Sequence, residues 1–272
     1  MKKVESIAQL QQFQSNVRAK HKRFLTNFYF DEFKHSIWIG KGSLYYEWIS
    51  DTCFLFRKTN NFWNTYYISP SLDELSESLK KVKCEYNENS LIFDIVGRRE
   101  QCDVLIPIFI QNGYVEESSL VRFIRINTPI EYGDELALVT RADLEQTHLV
   151  HGYLHQYMNE RVEMIPDIEE YEHWGELGHI LIFQLDGEIA GFFDYEKNSS
   201  TMIPRHWLVL PNYRGKHIGS ILYHRLLYEA NDTKRILSWV IQTNERSIQS
   251  HFHYGFKMEN MYDYIMSNVK II

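Results

Sequence analysis

The stretch Leu208-Val-Leu-Pro-Asn-Tyr-Arg-Gly-Lys-His-Ile-Gly219 limits the possible folds of this chain more than any other. An apolar, strand-like run, Met202 to Leu210, stops at Pro211 and reopens within a few residues as the helical pattern of Ile218 to Ala230. Proline cannot donate to a sheet ladder, so Pro211 marks a natural end to the strand. A helix that opens straight from a glycine turn presents N–H groups with no intrahelical partner, and its dipole adds positive potential. Arg214 and Lys216 put full charges beside them, while Gly215 and Gly219 let a ligand or a neighbouring strand come close to the backbone. Such a turn is suited to a pyrophosphate. An isolated Arg-Gly-Lys is more often a plain strand-to-helix connection, so the surrounding pattern has to decide.

That pattern is α/β, of the α+β kind, throughout. Ser6 to Lys20 has apolar residues at helical spacing, and 26–68 reads as short aromatic-rich strands and turns. A helix opens at Ser71, followed by a strand at Leu91 to Val96, a helix at Gln101 to Gln111 and a strand at Leu120 to Ile126. The pattern breaks over Asn127 to Gly133, which sets expected domains of 1–130 and 131–272. The second half restarts with a strand at Glu135 to Thr140 and helices at Ala142 to Met158 and Pro166 to Trp174. Strands at His179 to Gln184 and Glu188 to Tyr195 follow, joined by the hairpin dipeptide Asp186-Gly187. After Met202 to Leu210 and Ile218 to Ala230 come a strand at Ile236 to Gln242, a helix at Glu245 to His253 and a strand at Phe256 to Met266. Setting Gly113 against Gly255 brings Ile92 to Val96 close to Leu237 to Ile241, which suggests a worn internal duplication.

Charge is unevenly distributed. The chain has 272 residues and a net charge of -7, but residues 131–200 alone carry 16 Asp/Glu against 3 Lys/Arg. Without a continuous basic footprint, nucleic acid is not an expected partner. The three cysteines, Cys53, Cys84 and Cys102, form no CxxC pair, so neither a disulfide framework nor a zinc ribbon is indicated. No apolar run reaches the roughly 18 residues of a membrane span, and the first residues lack a signal-peptide core. No membrane partner and a cytoplasmic location are therefore expected. His148, His151 and His155 share a helix face and could bind a metal, but no fourth ligand is evident and no metal is assigned.

The Pro–Arg-Gly–Gly turn, helix, strand, Asn244-initiated helix and Gly255-Phe256 ending together resemble the Gcn5-related N-acetyltransferase (GNAT) superfamily. Arg214, His217 and Gly219 fall on the fixed places of its phosphate motif, with His217 where the first glycine usually stands. The resemblance covers 134–272 well. It reaches 1–130 only as a degenerate copy, and implies two GNAT-like units, each a mixed, mostly antiparallel sheet flanked by helices. It also implies acetyl-CoA as acyl donor: the pantetheine arm along Leu208, Val209 and Leu210, and the pyrophosphate on Arg214, Gly215, Lys216, His217, Ile218, Gly219 and Ser220. Asn244 would contact the arm, besides serving as an ordinary N-cap.

The implied reaction is direct attack of an amine on the thioester. His251 stands where relatives often have the tyrosine that protonates the leaving thiolate, and Tyr254 is the alternative acid. His206, Asp194 and Glu196 are candidate bases, since the usual strand glutamate is missing. The acidic helix Asp167 to Trp174 would border the acceptor side and favour a cationic small-molecule or peptide amine. The rival expectation is a non-catalytic acyl-CoA-binding sensor or scaffold. Sequence sets neither the acceptor nor the oligomeric state.

Overall fold

The computed structural model describes residues 1–21 and 23–269. The chain divides into two compact units, Met1–Leu120 with Asn260–Ile272, and Val121–Glu259.

The first unit begins with β1 (Lys2–Lys3), α1 (Ile7–Lys20), β2 (Leu25–Thr26), α2 (Glu32–Gly40), β3 (Leu44–Ile49), β4 (Thr52–Lys58) and β5 (Trp63–Ser69). It continues through α3 (Leu72–Glu85), β6 (Leu91–Gly97), α4 (Arg99–Gln111) and β7 (Val115–Ile126), which carries the chain into the second unit. Side-chain caps start the helices: Ser6 accepts from Gln9 N, Asp31 from Lys34 N and Ser71 from Glu74 N. One core lies beneath α3 and α4, with Leu75, Leu79, Phe93, Phe109 and Tyr114 buried together. On the other face of the sheet, Leu10, Phe13, Phe28, Trp38, Leu55 and Tyr66 form a second core beneath α1 and α2.

The second unit holds β8 (Val139–Arg141), α5 (Leu144–Tyr157), α6 (Ile168–Glu176), β9 (Ile180–Leu185), β10 (Glu188–Lys197), β11 (Thr201–Val209), α7 (Ile218–Glu229), β12 (Arg235–Ile241) and α8 (Glu245–His253), and β13 (Lys257–Ser267) returns the chain to the first unit. Its strands run in the order β7-β12-β11-β10-β9-β8. The β9–β10 turn has Asp186 at φ 55° and Gly187 at φ 84°, the left-handed pair that the Asp-Gly dipeptide anticipates. Ile180, Ile182 and Phe192 bury one sheet face against Val150, Leu154 and Tyr171 of α5 and α6. On the opposite face, Phe193 stacks with Trp207 at 5.7 Å and Trp207 meets Tyr223 of α7 at 4.9 Å.

Three features differ from the sequence expectation. A helix, α2, stands where 26–68 suggests only strands. Phe33, Ile37, Trp38 and Ile39 favour extended chain, but the Asp31 cap and the i, i+3 burial of His35 and Trp38 win. Asp134–Leu138 is a 3₁₀ turn, which leaves only Val139 and Thr140 of the expected Glu135 to Thr140 strand to β8. The compact units also do not divide between 130 and 131. Residues 121–130 go with the second unit, and in the first unit Tyr262 to Ser267 of β13 pair antiparallel with Gly97 to Ile92 of β6. Loop punctuation marks where the chain turns, whereas the units are set by where strands find their ladder partners. Among the described residues, no helix is long and apolar enough to cross a membrane.

Candidate functional site

The second unit has a parallel strand pair that opens. β11 and β12 are in register at Thr201↔Arg235 and Met202↔Ile236, and β11 then continues to Val209 away from that ladder. At the open end lies a cavity of about 510 Å³. Trp207, Leu208 and Val209 line it from β11, and Tyr213, Arg214, Gly215, His217, Ile218, Gly219 and Ser220 from the turn and the first turn of α7. Asn244, Arg246, Ser247, Ser250 and Tyr254 line it from the α8 side.

The turn is built as its residues require. Gly215 has φ +83° and a Cβ there would meet nothing within 4 Å, so glycine serves the backbone angle and leaves open space. His217 also lies in the left-handed region, at φ 59°, and is the N-cap of α7 without a side-chain cap bond. That angle explains why glycine suits this place; histidine holds it at a cost of about 1–2 kcal/mol. Ser220 N and Ile221 N donate to His217 O, while Ile218 and Gly219 line the cavity at a helix start without a side-chain cap. A Cβ on Gly219 would sit 3.2 Å from Trp207 Cζ2 and 3.4 Å from Val209 Cγ2, so glycine lets the helix seat against β11. Gly219→Val is expected to destabilise the chain by about 1–3 kcal/mol through overpacking, read as a lowered Tm in thermal unfolding.

Two cations line the cavity. Arg214 Nε donates to Val209 O at 3.2 Å, and Arg246 stands across from it on α8. Arg246, Ser247 and Ser250 escaped the sequence reading. Their spacing after Asn244 puts them on one helix face, a signal that would have found them. Asn244 is the N-cap of α8, accepting from Ser247 N at 3.0 Å, and also lines the cavity. Two of the expected donor contacts lie elsewhere. Leu210 is buried and its N–H donates to Ala190 O, while Lys216 is exposed with its ammonium over the Tyr213 ring.

The expected catalytic groups separate sharply. His251 is 5 % exposed and belongs to the core. Its Nδ1–H donates to Ser247 O at 2.8 Å, and its Nε2 accepts from Ser238 Oγ at 2.9 Å. Burial lowers its pKa. With both nitrogens engaged and the ring packed on Phe123 and Phe256, it has no proton to deliver to the cavity. Tyr254 does reach the cavity: its hydroxyl donates to Ser220 Oγ at 3.3 Å and its ring stacks on Tyr223 at 3.9 Å. Glu196 is tied to Arg205 in an ion pair outside the cavity, which removes it as a base.

His206 and Asp194 form a buried pair. On β11 His206 shares with Leu208 the face that meets α5 and α6, opposite Trp207. Asp194 is fully buried; it accepts from His206 N at 2.8 Å, from His206 Nδ1 at 3.0 Å and from Tyr171 Oη at 2.8 Å. Nδ1 is therefore the protonated nitrogen, and Nε2 has no protein hydrogen bond among the described residues. Burial pulls the His206 pKa down, but the charge of Asp194 and the hydrogen bond to it outweigh this, so the net shift is upward. Glu163, in the α5–α6 connection, lies close enough to add to that rise; its own pKa is pushed up by burial, and its Oε2 is buried without a hydrogen-bond partner.

The three α5 histidines take separate partners. His148 pairs with Glu172, His155 with Glu160, and His151 Nε2 with the Pro166 carbonyl at 2.9 Å. Among the described residues, no group of three or more His, Cys, Asp or Glu is arranged to hold a metal.

Residues 147–256 match the acetyltransferase (GNAT) family. No curated protein matches the chain. An acetyltransferase of the GNAT family from Colwellia psychrerythraea is similar in structure at TM-score 0.58 and 11% identity, covering 99% of both chains. A Drosophila malonogaster protein is similar at TM-score 0.58 and 13% identity, over 97% of this chain and 98% of that one. A tandem GNAT protein from the clavulanic acid biosynthesis pathway is similar at TM-score 0.53 and 10% identity, over 79% of this chain and 78% of that one. At these identities the likeness is one of fold. Residues 147–256 thus match the acetyltransferase (GNAT) family, within a chain that shares the fold of solved GNAT proteins.

Proposed function

We propose that this chain is an acyl-CoA-dependent N-acyltransferase, with acetyl-CoA as donor and a primary amine, of cationic character, as acceptor. The observation that carries the reading is the opened β11–β12 pair, whose cavity ends on the uncapped start of α7 between Arg214 and Arg246. A helix start without a side-chain cap, its dipole and two guanidinium groups suit a pyrophosphate. The free edge of β11 at Leu208 and Val209 suits the amides of a pantetheine arm.

In this reading the acceptor amine loses a proton to His206 Nε2, and its nitrogen attacks the thioester carbonyl. The C–S bond then breaks, and Tyr254 Oη gives the thiolate a proton. Asp194 and Tyr171 hold the imidazole in one tautomer and orientation. The acidic block 131–200 supports a cationic acceptor, since it raises the local concentration of positive charge. The first unit would be a GNAT-like partner without a phosphate turn of its own.

Charge reversal tests the donor site. Arg214→Glu is expected to weaken CoA binding at least about tenfold in calorimetry, as the loss of one charge-assisted contact is compounded by repulsion. Unchanged affinity would remove the cleft from consideration. Tight CoA binding with no transfer to any of a panel of amines would instead support a sensor or scaffold.

A further inference from the structure

The two units repeat one element order, β-α-α-β-β-β-α-β-α-β, with a single addition: β2, between α1 and α2 of the first unit. The first unit also repeats the opening strand pair. β5 and β6 are parallel partners at Trp63↔Leu91 and Asn64↔Ile92, and β5 then continues to Ser69 and β6 to Gly97. In the second unit the corresponding opening is the lined cavity. In the first it is filled by the added strand and the two residues after it.

The filling is made of backbone-matched hydrogen bonds. β2 pairs antiparallel with the freed end of β5, at Leu25↔Ser69 and Thr26↔Ile68. Thr26 Oγ1 donates to Tyr67 O at 2.7 Å. Tyr67 N donates to the Asn27 side-chain oxygen at 2.7 Å, and the Asn27 amide nitrogen donates to Thr65 O of β5 at 3.2 Å and to Asp94 O of β6 at 3.1 Å. One carboxamide therefore bridges both separated strands and replaces the ladder they lack. Phe28 locks the segment in place: its N–H donates to Thr26 Oγ1 at 3.0 Å, and its buried ring stacks on His35 at 4.8 Å.

We infer that Leu25–Phe28 is a resident occupant of a second, donor-type opening. It occupies the strand edge that an extended amide-bearing ligand would use, so the first unit takes no acyl-CoA and each chain binds one. This rests on the second unit's cavity being the donor site, but the occupancy of the first unit is read separately.

Hydrogen exchange and native mass spectrometry of the full chain, with CoA as probe, test it. Saturation at one CoA per chain is expected, with exchange slowed by CoA over 203–210 and unchanged at Tyr67. Two CoA per chain, or slowing at Tyr67, would overturn the inference. If no CoA binds and 203–210 does not respond, the donor reading fails, and the resident segment is decided by Asn27→Ala. That variant is expected to speed exchange of the Tyr67 amide at least about tenfold, since it donates to the Asn27 side-chain oxygen. An unchanged Tyr67 rate refutes the plug. Should Asn27→Ala fail to fold, Thr26→Val is expected to speed exchange of the Phe28 amide by the loss of Oγ1, and an unchanged rate there counts against it equally.

Discussion

Replacing His206 with glutamine is expected to lower kcat by about 10²–10⁴-fold, the usual contribution of a positioned general base. CoA affinity should stay within about twofold, because the side chain lies on the opposite face of β11 from Trp207 and is not among the residues lining the cavity. Glutamine keeps much of the volume and can still reach Asp194, so a folded variant is the expected background. The pH profile is the more specific readout. A base must be neutral to act, and Asp194 holds His206 protonated to a higher pH than an isolated imidazole. The wild-type kcat/KM should therefore climb as pH rises through a value above about 6.5 and then level off. His206→Gln should lose that acidic limb along with the rate. A variant that keeps both the limb and the rate assigns the base elsewhere.

How far the sequence discloses this arrangement depends on whether a residue's role is local. The Pro211 stop, the Gly215 turn and the helix from Ile218 are set within a dozen residues, and the positive φ values of Gly215 and His217 answer the backbone requirement written there. The Asp186-Gly187 hairpin is legible for the same reason. His251 is the opposite case. The family resemblance marks it as an acid, yet its ring faces the core beside Ser238, while Tyr254, three residues on at the C-cap of α8, reaches the cavity. Whether a helical histidine meets ligand or core depends on how α8 rolls against the sheet, which is a tertiary quantity. Glu196 fails likewise, because its partner Arg205 faces it from across a hairpin. The extent of the units is the least legible of all. β13 reads as an ordinary last strand, and nothing in Tyr262 to Ser267 says that its ladder partner is β6 of the first unit.

Asp194→Ala is expected to be the most damaging single truncation in the second unit, at about 3–5 kcal/mol of stability. The carboxylate is fully buried and takes three donors: the Tyr171 hydroxyl, the His206 backbone N–H and His206 Nδ1. Removing it strands all three away from water, and each orphaned group costs about 1–3 kcal/mol. Asp194→Asn keeps the shape and one carbonyl acceptor, so it should fold and serve as the informative variant. Its effect on pH follows from sign. With the carboxylate gone, burial is the dominant influence left on His206 and acts to lower its pKa, so the acidic limb of kcat/KM should move to lower pH while kcat falls. Stability should shift with pH as well. A histidine whose folded pKa is raised adds stability in full below its unfolded value of about 6.5, and loses it as pH rises through the folded value. The gap in Tm between wild type and Asp194→Asn should therefore be widest at mildly acidic pH and narrow on the alkaline side. A purely structural hydrogen bond would leave that gap constant with pH and the rate limb where it was. Movement of both together is what an Asp194 that sets the charge of His206 requires.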